Sequence, residues 1–239
     1  MQRTSVPAAA LALAATLAGA PAGAYLIDFE TIPGASPVEG MAITNQWAAA
    51  YATTFSQEGG DPPLLAQVGS PQVAFRGPPG NTTEDTPAPG QDIGNFFLAD
   101  NPTGPAPLTL LLSFGVPMAQ VAGELIDVDV SALYGPEAFT IEARGDHDQV
   151  LESIDVVGGQ PGTGDGIATP WSFSHIAADI FSVRIAYSGE KPVNVGVGFD
   201  NFSLFSPLIP TPEPTPLAGF ALVGAAALSL RRARGSAMR

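Results

Sequence analysis

The sequence predicts an all-β fold, an antiparallel β-sandwich of jelly-roll type with apolar helical segments at both termini. Three observations predict it. Apolar residues between positions 25 and 206 fall in short runs, several alternating with polar residues at period 2. Gly, Pro, Asn and Asp separate the runs, in a chain that holds 27 Gly and 24 Pro. No long interior segment follows the 3.6-residue period of an amphipathic helix.

The expected strands, in order, begin with Leu26–Glu30 and, after one helical turn at Asn45–Tyr51, Ala52–Ser56. Leu64–Val68, Val73–Arg76, Asn95–Ala99 and Leu108–Phe114 follow, then the longer Ala119–Val130. Phe139–Arg144 alternates cleanly: Phe139, Ile141 and Ala143 point inward, and Thr140, Glu142 and Arg144 outward. Gly145-Asp146-His147-Asp148 then turns the chain into Val150–Val157, which predicts a hairpin. Trp171–Ile176, Ile180–Tyr187 and Val193–Phe205 complete the set. Phe181, Val183, Ile185 and Tyr187 share one face of their strand. The segments Gly77–Gly90 and Gly158–Gly166 read as long loops, and no internal repeat suggests a solenoid or propeller.

Charge placement says where the chain goes. The 239 residues carry 23 acids against nine bases, a net charge of −14 that argues against nucleic acid as a partner. There is no Cys, which removes disulfides, thiolate metal sites and Cys nucleophiles. Residues 25–210 hold 22 of the acids and four of the bases, so that body is at −18 between two basic ends.

Each basic end adjoins an apolar stretch. Arg3 precedes Val6–Ala20 and a small-residue site at Ala22-Gly23-Ala24, the pattern of a secretory signal peptide over residues 1–24 cleaved after Ala24. Cleavage after Ala20 is the alternative. A Pro-rich linker over 207–216 cannot form helix interior or a central strand, so it is an extended spacer. It leads into Leu217–Leu230, shorter than the ~20 residues of an ordinary membrane span. Arg231, Arg232 and Arg234 follow and can snorkel. Positive ends stay cytoplasmic, so the acidic body lies outside.

Pro212, Glu213 and Pro214, the short apolar segment and the Arg cluster, in that order, resemble the PEP-CTERM sorting signal of exported bacterial proteins. The resemblance covers residues 210–234. It implies Sec export and processing by the membrane enzyme exosortase. It also implies transient anchoring in the inner membrane by the 217–239 helix, then delivery to the envelope, matrix or exterior. A plain C-terminal anchor is the alternative.

Ile27-Asp28-Phe29-Glu30, Ile43-Thr44-Asn45-Gln46 with Thr54-Phe55, and Gly198-Phe199-Asp200-Asn201-Phe202 recur in such exoproteins and resemble carbohydrate-binding jelly rolls. If the first and last strands pair, Asp28 and Glu30 come near Asp200 and Asn201. Carboxylates with loop carbonyls suit a hard cation, which outside the cell means Ca²⁺. The resemblance implies a structural calcium with Glu30 and Asp200 as side-chain ligands and carbonyls from Ser36–Gly40. The alternative is solvated edge charge that limits aggregation.

Other candidates carry less chemistry. Asp146-His147-Asp148 reads as a solvated turn rather than a metal site. His147 and His175 are the only histidines, and no G-x-S-x-G, H-E-x-x-H or phosphate loop occurs, so the chain is expected to be non-enzymatic. A hydrolase using two carboxylates is a third option. Trp47, Tyr51, Tyr134, Trp171 and Tyr187 could stack on sugars, with Trp171 expected to be the most exposed and the binding residue. The function expected is a surface or matrix protein associated with exopolysaccharide, or else a carbohydrate-binding module.

Overall fold

The computed structural model describes residues 22–69, 74, 87–100, 107, 109–191 and 195–210. Positions 1–21 of the expected signal peptide, the strand Val73–Arg76 apart from Ala74, and residues 211–239 with the sorting tail lie outside them. No helix among the described residues is long and apolar enough to cross a membrane.

Among the described residues, thirteen strands and one short helix follow one another, most of them on the expected runs. They are β1 Ala22–Ile27, α1 Ala48–Tyr51, β2 Thr53–Gln57, β3 Leu64–Gln67, β4 Phe96–Ala99, β5 Leu110–Met118 and β6 Gln120–Ile126. Then come β7 Val130–Ser131, β8 Gly135–Pro136, β9 Ala138–Arg144, β10 Val150–Val157, β11 Ala168–Ser174, β12 Ile180–Tyr187 and β13 Gly198–Pro210. One sheet runs β11-β6-β13-β4-β3, with β1 also paired to β13; the other runs β10-β9-β12-β5-β2. Every pairing among the described residues is antiparallel, including that of β7 with β8 in a small third sheet, and the two large sheets make a sandwich.

The alternation that predicted the strands sets what they bury. Phe139, Ile141 and Ala143 of β9 face Val183 and Ile185 of β12 on the inner side, with Leu110 and Leu112 of β5 beyond. From the facing sheet come Val121, Leu125, Phe199, Phe202 and Leu204. Aromatic edges knit the centre: Phe202 lies 5.5 Å from Phe55 and 6.1 Å from Phe29, which meets Trp47 edge-on at 5.5 Å. The helical turn at α1 carries Trp47 into this cluster from its N-cap position.

The β9–β10 hairpin is as expected, and the 146–148 turn is solvated: His147 is exposed and Arg144 pairs with Asp148 at 2.7 Å. The first and last long strands do pair, with Tyr25 opposite Leu204 and Ile27 opposite Phe202. Ala24, the expected cleavage residue, lies within β1 opposite Phe205. Several strand bounds differ from those expected, and at the exit of the first strand the difference has a clear cause. The first strand was expected to run on to Glu30, but it ends at Ile27 and Phe29 takes φ 58°. Burial of the Phe29 ring among Trp47, Phe55 and Phe202 holds a conformation that a bulky residue otherwise avoids.

Candidate functional site

The site grows from a bulge. Along the β6–β13 ladder Asp200 pairs with Glu124, but the next partners are Ser203 and Ala122, so Asn201 and Phe202 together oppose Gly123. Asn201 takes the extra residue's left-handed conformation, φ 52°, which Asn tolerates well. Phe202 returns to the core, and Gly123 makes room for it. A Cβ on Gly123 would stand 2.8 Å from Trp171 Cζ2 and 2.9 Å from Phe202 Cδ1.

Around the bulge the loops bring in polar groups. Asn201 Nδ2 donates to the Asp92 carbonyl at 2.7 Å and to Glu124 Oε2 at 2.9 Å. Glu30 reaches across the start of β4: its Oε1 accepts from the Asn95 and Phe96 amides, and its Oε2 from Asn95 Nδ2 at 2.8 Å. Asp28 Oδ1 accepts the Glu30 amide at 3.1 Å. The two carboxylates of the first strand's exit therefore frame the same corner as Asp200.

Asp200 is the unusual member. It is fully buried, and the Asn201 backbone N–H is near its carboxylate, but neither oxygen forms a hydrogen bond of good geometry. Burial pushes its carboxyl up to about 9, the Asn201 backbone N–H opposes this, and the charges of Glu124, Asp28 and Glu30 push it further up. A buried carboxylate so poorly supplied with donors needs either a proton or a cation. No three His, Asp or Glu side chains form a ready metal cluster among the described residues, so carboxylates alone would not complete a coordination shell. Amide and carbonyl oxygens would have to share it, which suits a hard cation such as Ca²⁺.

Glu30 and Asp200 thus come to one corner, as the strand pairing implied. In Ser36–Gly40, the expected source of carbonyls, the Gly40 amide donates to the Leu65 carbonyl. Asn201, expected beside Asp200, is there, and Glu124 completes the surroundings without having been singled out by sequence. The signal that could have found Glu124 is a polar residue directly after Gly123, at the point where the strand's alternation breaks.

Trp171 needs a correction. It was expected to be exposed at a strand start, yet it is 5% exposed and packs 5.9 Å from Phe173. Period 2 explains the difference: β11 begins at Ala168, so Pro170 and Ser172 take the outward positions and Trp171 an inward one. Trp47 is core as well, and Tyr51 stacks on Tyr25 at 4.5 Å. Beside Asn201 lies an open cleft of about 560 Å³ lined by Glu124, Ile154, Pro170, Trp171, Ser172 and Asn201, among others.

No family profile matches the chain, and no curated protein matches it. Solved structures of similar shape exist at low identity. An arabinose-bound α-L-arabinofuranosidase, MgGH51, aligns over 78% of this chain at 14% identity and TM-score 0.44. The chain spans about a quarter of that enzyme, 27% of its length. The K3 cleaved adhesin domain of Lys-gingipain from Porphyromonas gingivalis aligns over 71% of this chain and 98% of its own, at 14% identity and TM-score 0.38. The K1 adhesin domain of the same protein aligns over 76% and 97%, at 10% identity and TM-score 0.40. No residue role passes from these proteins to this chain.

Proposed function

We propose that this chain is an exported, non-enzymatic cell-surface or matrix protein, a β-sandwich of jelly-roll type whose body is steadied by Ca²⁺. The observation that carries the calcium reading is Asp200, buried with no well-formed hydrogen bond in a corner that Glu124, Asp28 and Glu30 make more negative. Asp200 and Glu30 would be the side-chain ligands, with amide or carbonyl oxygens completing the shell. When bound, the ion supplies the positive charge that lets Asp200 ionise inside the fold. This suits a protein that meets millimolar Ca²⁺ outside the cell.

Export rests on the sequence: an acidic body between a signal peptide and a PEP-CTERM tail. In this reading the Sec machinery translocates the chain, exosortase processes the tail, and exopolysaccharide surrounds the product. Melting of the full chain with and without millimolar Ca²⁺ tests the ion; an unchanged Tm counts against it. Deleting residues 210–239 tests sorting; unaltered envelope retention and processing would refute the tail reading.

A second reading, a carbohydrate-binding module, is favoured by the cleft beside Asn201. Its polar groups Glu124, Ser172 and Asn201 stand next to apolar Ile154 and Pro170, the mix a polyol ligand needs. Glu124 is the one carboxylate among the residues lining it, which favours binding over two-carboxylate hydrolysis. Binding on a glycan array would support this module, and a clean negative would remove it.

A further inference from the structure

Lys191 is the only lysine in the chain. Solvent is the usual place for a lysine ammonium, yet this one is 8% exposed. Its Nζ stands 2.7 Å from Glu137 Oε1 and 3.3 Å from Asp129 Oδ1. Glu137 is itself 1% exposed, and its backbone is tied on both sides, its amide to the Asp129 carbonyl and its carbonyl to the Gly158 amide. Tyr187, stacked edge-on against Phe139 at 5.4 Å, donates its hydroxyl to the Lys191 carbonyl. The amine and the Glu137 carboxyl are thus buried together beside an aromatic pair, with the half-buried Asp129 carboxyl at the rim.

The arrangement joins the two sheets. Asp129 follows β6 of one sheet, and Lys191 follows β12 of the other, 62 residues apart in sequence. An ion pair alone is a poor reason to bury Lys191 and Glu137, because desolvation offsets most of its attraction. In a chain without Cys, a covalent bond at this place would do what a disulfide does elsewhere.

We propose that Lys191 and Asp129 form an intramolecular isopeptide bond, with Glu137 as the proton-transfer group. Glu137 Oε1 takes a proton from the Lys191 ammonium along their hydrogen bond, leaving a free amine. The amine lone pair attacks Cγ of Asp129 while Glu137 passes its proton to an Asp129 oxygen. The second amine proton then returns through Glu137 to that oxygen, the C–O bond breaks, and water leaves. An ammonium and a carboxylate become an amide and one water, Glu137 ends as it began, and no other reactant is needed.

The surroundings supply what the step requires. Burial pushes the Glu137 carboxyl up to about 7, against the pull of Lys191, so it can hold and release a proton near neutrality. Burial lowers the Lys191 ammonium, but Glu137 and Asp129 more than offset this and the resting pair is ionic. The free amine therefore arises only through Glu137. Fixed contact of amine, acid and carboxyl replaces the entropy cost of a bimolecular condensation.

The test is mass spectrometry of the full-length chain purified from its exporting host. The expected result is a mass one water, about 18 Da, below that of the processed sequence, and after proteolysis a branched peptide joining the Asp129 and Lys191 segments. Denatured protein should then react with an amine-directed reagent at its N-terminus only, since the sole lysine is consumed. Glu137→Gln and Lys191→Arg should each restore the missing water, with Tm lower by roughly 10 °C for a closed loop of this length. An unmodified mass with a reactive Lys191 would overturn the proposal. So would a loss of water confined to the Asp129 peptide, which is a succinimide, or a branched peptide that persists unchanged in Glu137→Gln.

Discussion

Asp200 stands directly opposite Glu124 across the β6–β13 ladder, two carboxylates on neighbouring strands with the deeper one cut off from water. The pair sits where an alternating strand breaks, so the bulge at Asn201 both creates the corner and fixes Glu124 through its amide. Whatever balances Asp200 balances the whole corner.

The first prediction concerns pH. Asp200 has a folded pKa raised from 3.8 to about 9, so its contribution to stability is complete below 3.8 and is lost as pH rises toward 9. Glu137, raised from 4.5 to about 7, acts in the same direction over the lower part of that window. Without metal, Tm should therefore fall from pH 5 to pH 9, with Asp200 dominating above pH 7. Asp200→Asn should flatten the fall above pH 7 and abolish any Ca²⁺ response, as read by melting in EDTA and in Ca²⁺. Parallel curves for the two proteins would contradict this.

Glu30 is the clip that holds the start of β4. It accepts from two backbone amides and one side-chain amide of residues 95 and 96, bonds to a charged acceptor that span 65 residues of sequence. Glu30→Ala leaves these donors to water and should destabilise the fold by about 2 kcal/mol. Urea unfolding measures the change. A midpoint shift no larger than that of a surface substitution would show the clip to be idle.

Much of this fold was legible because period 2 and turn residues act locally. Val150–Val157 and Ile180–Tyr187 are strands over those very spans, and the hairpin turn at Gly145 follows from its Gly and Asp residues. Pairing of the first and last strands was legible too, and it brought Glu30 toward Asp200. Phe29 was not: its positive φ is held by rings from distant segments, a tertiary effect that no local propensity contains. Trp171 went inward because one residue of register reverses a strand's faces. The Lys191–Glu137–Asp129 group joins segments 54 and 62 residues apart, yet its clue was in plain view as the single lysine.

The turn at Asp146-His147-Asp148 should be dispensable. His147 is exposed and its ring lies 3.6 Å from Asp146 alone, while Asp148 is engaged by Arg144. His147→Ala should change stability by less than about 0.5 kcal/mol. Calorimetric titration with Zn²⁺ or Ca²⁺ should give the same heats before and after the substitution. A lost binding event would restore the metal reading of this turn.

Gly123 offers the sharpest test of the bulge. It faces Asn201 and Phe202 across the ladder, and its missing side chain is what lets the Trp171 indole and the Phe202 ring meet at 6.3 Å between centroids. A methyl group at this position would contact both rings inside normal van der Waals distance. Neither ring is the end of a flexible chain, and both belong to the core, so relief requires the strand or the rings to shift. Gly123→Ala should therefore cost about 1–3 kcal/mol, although Ala in place of Gly usually stabilises a strand by limiting the unfolded chain. Because Glu124 and Asn201 ride on the same bulge, any Ca²⁺-induced rise in Tm should shrink along with the stability. A stabilised Gly123→Ala protein with an intact Ca²⁺ response would mean that the ladder is regular at this point and that Asp200 is not held by the bulge.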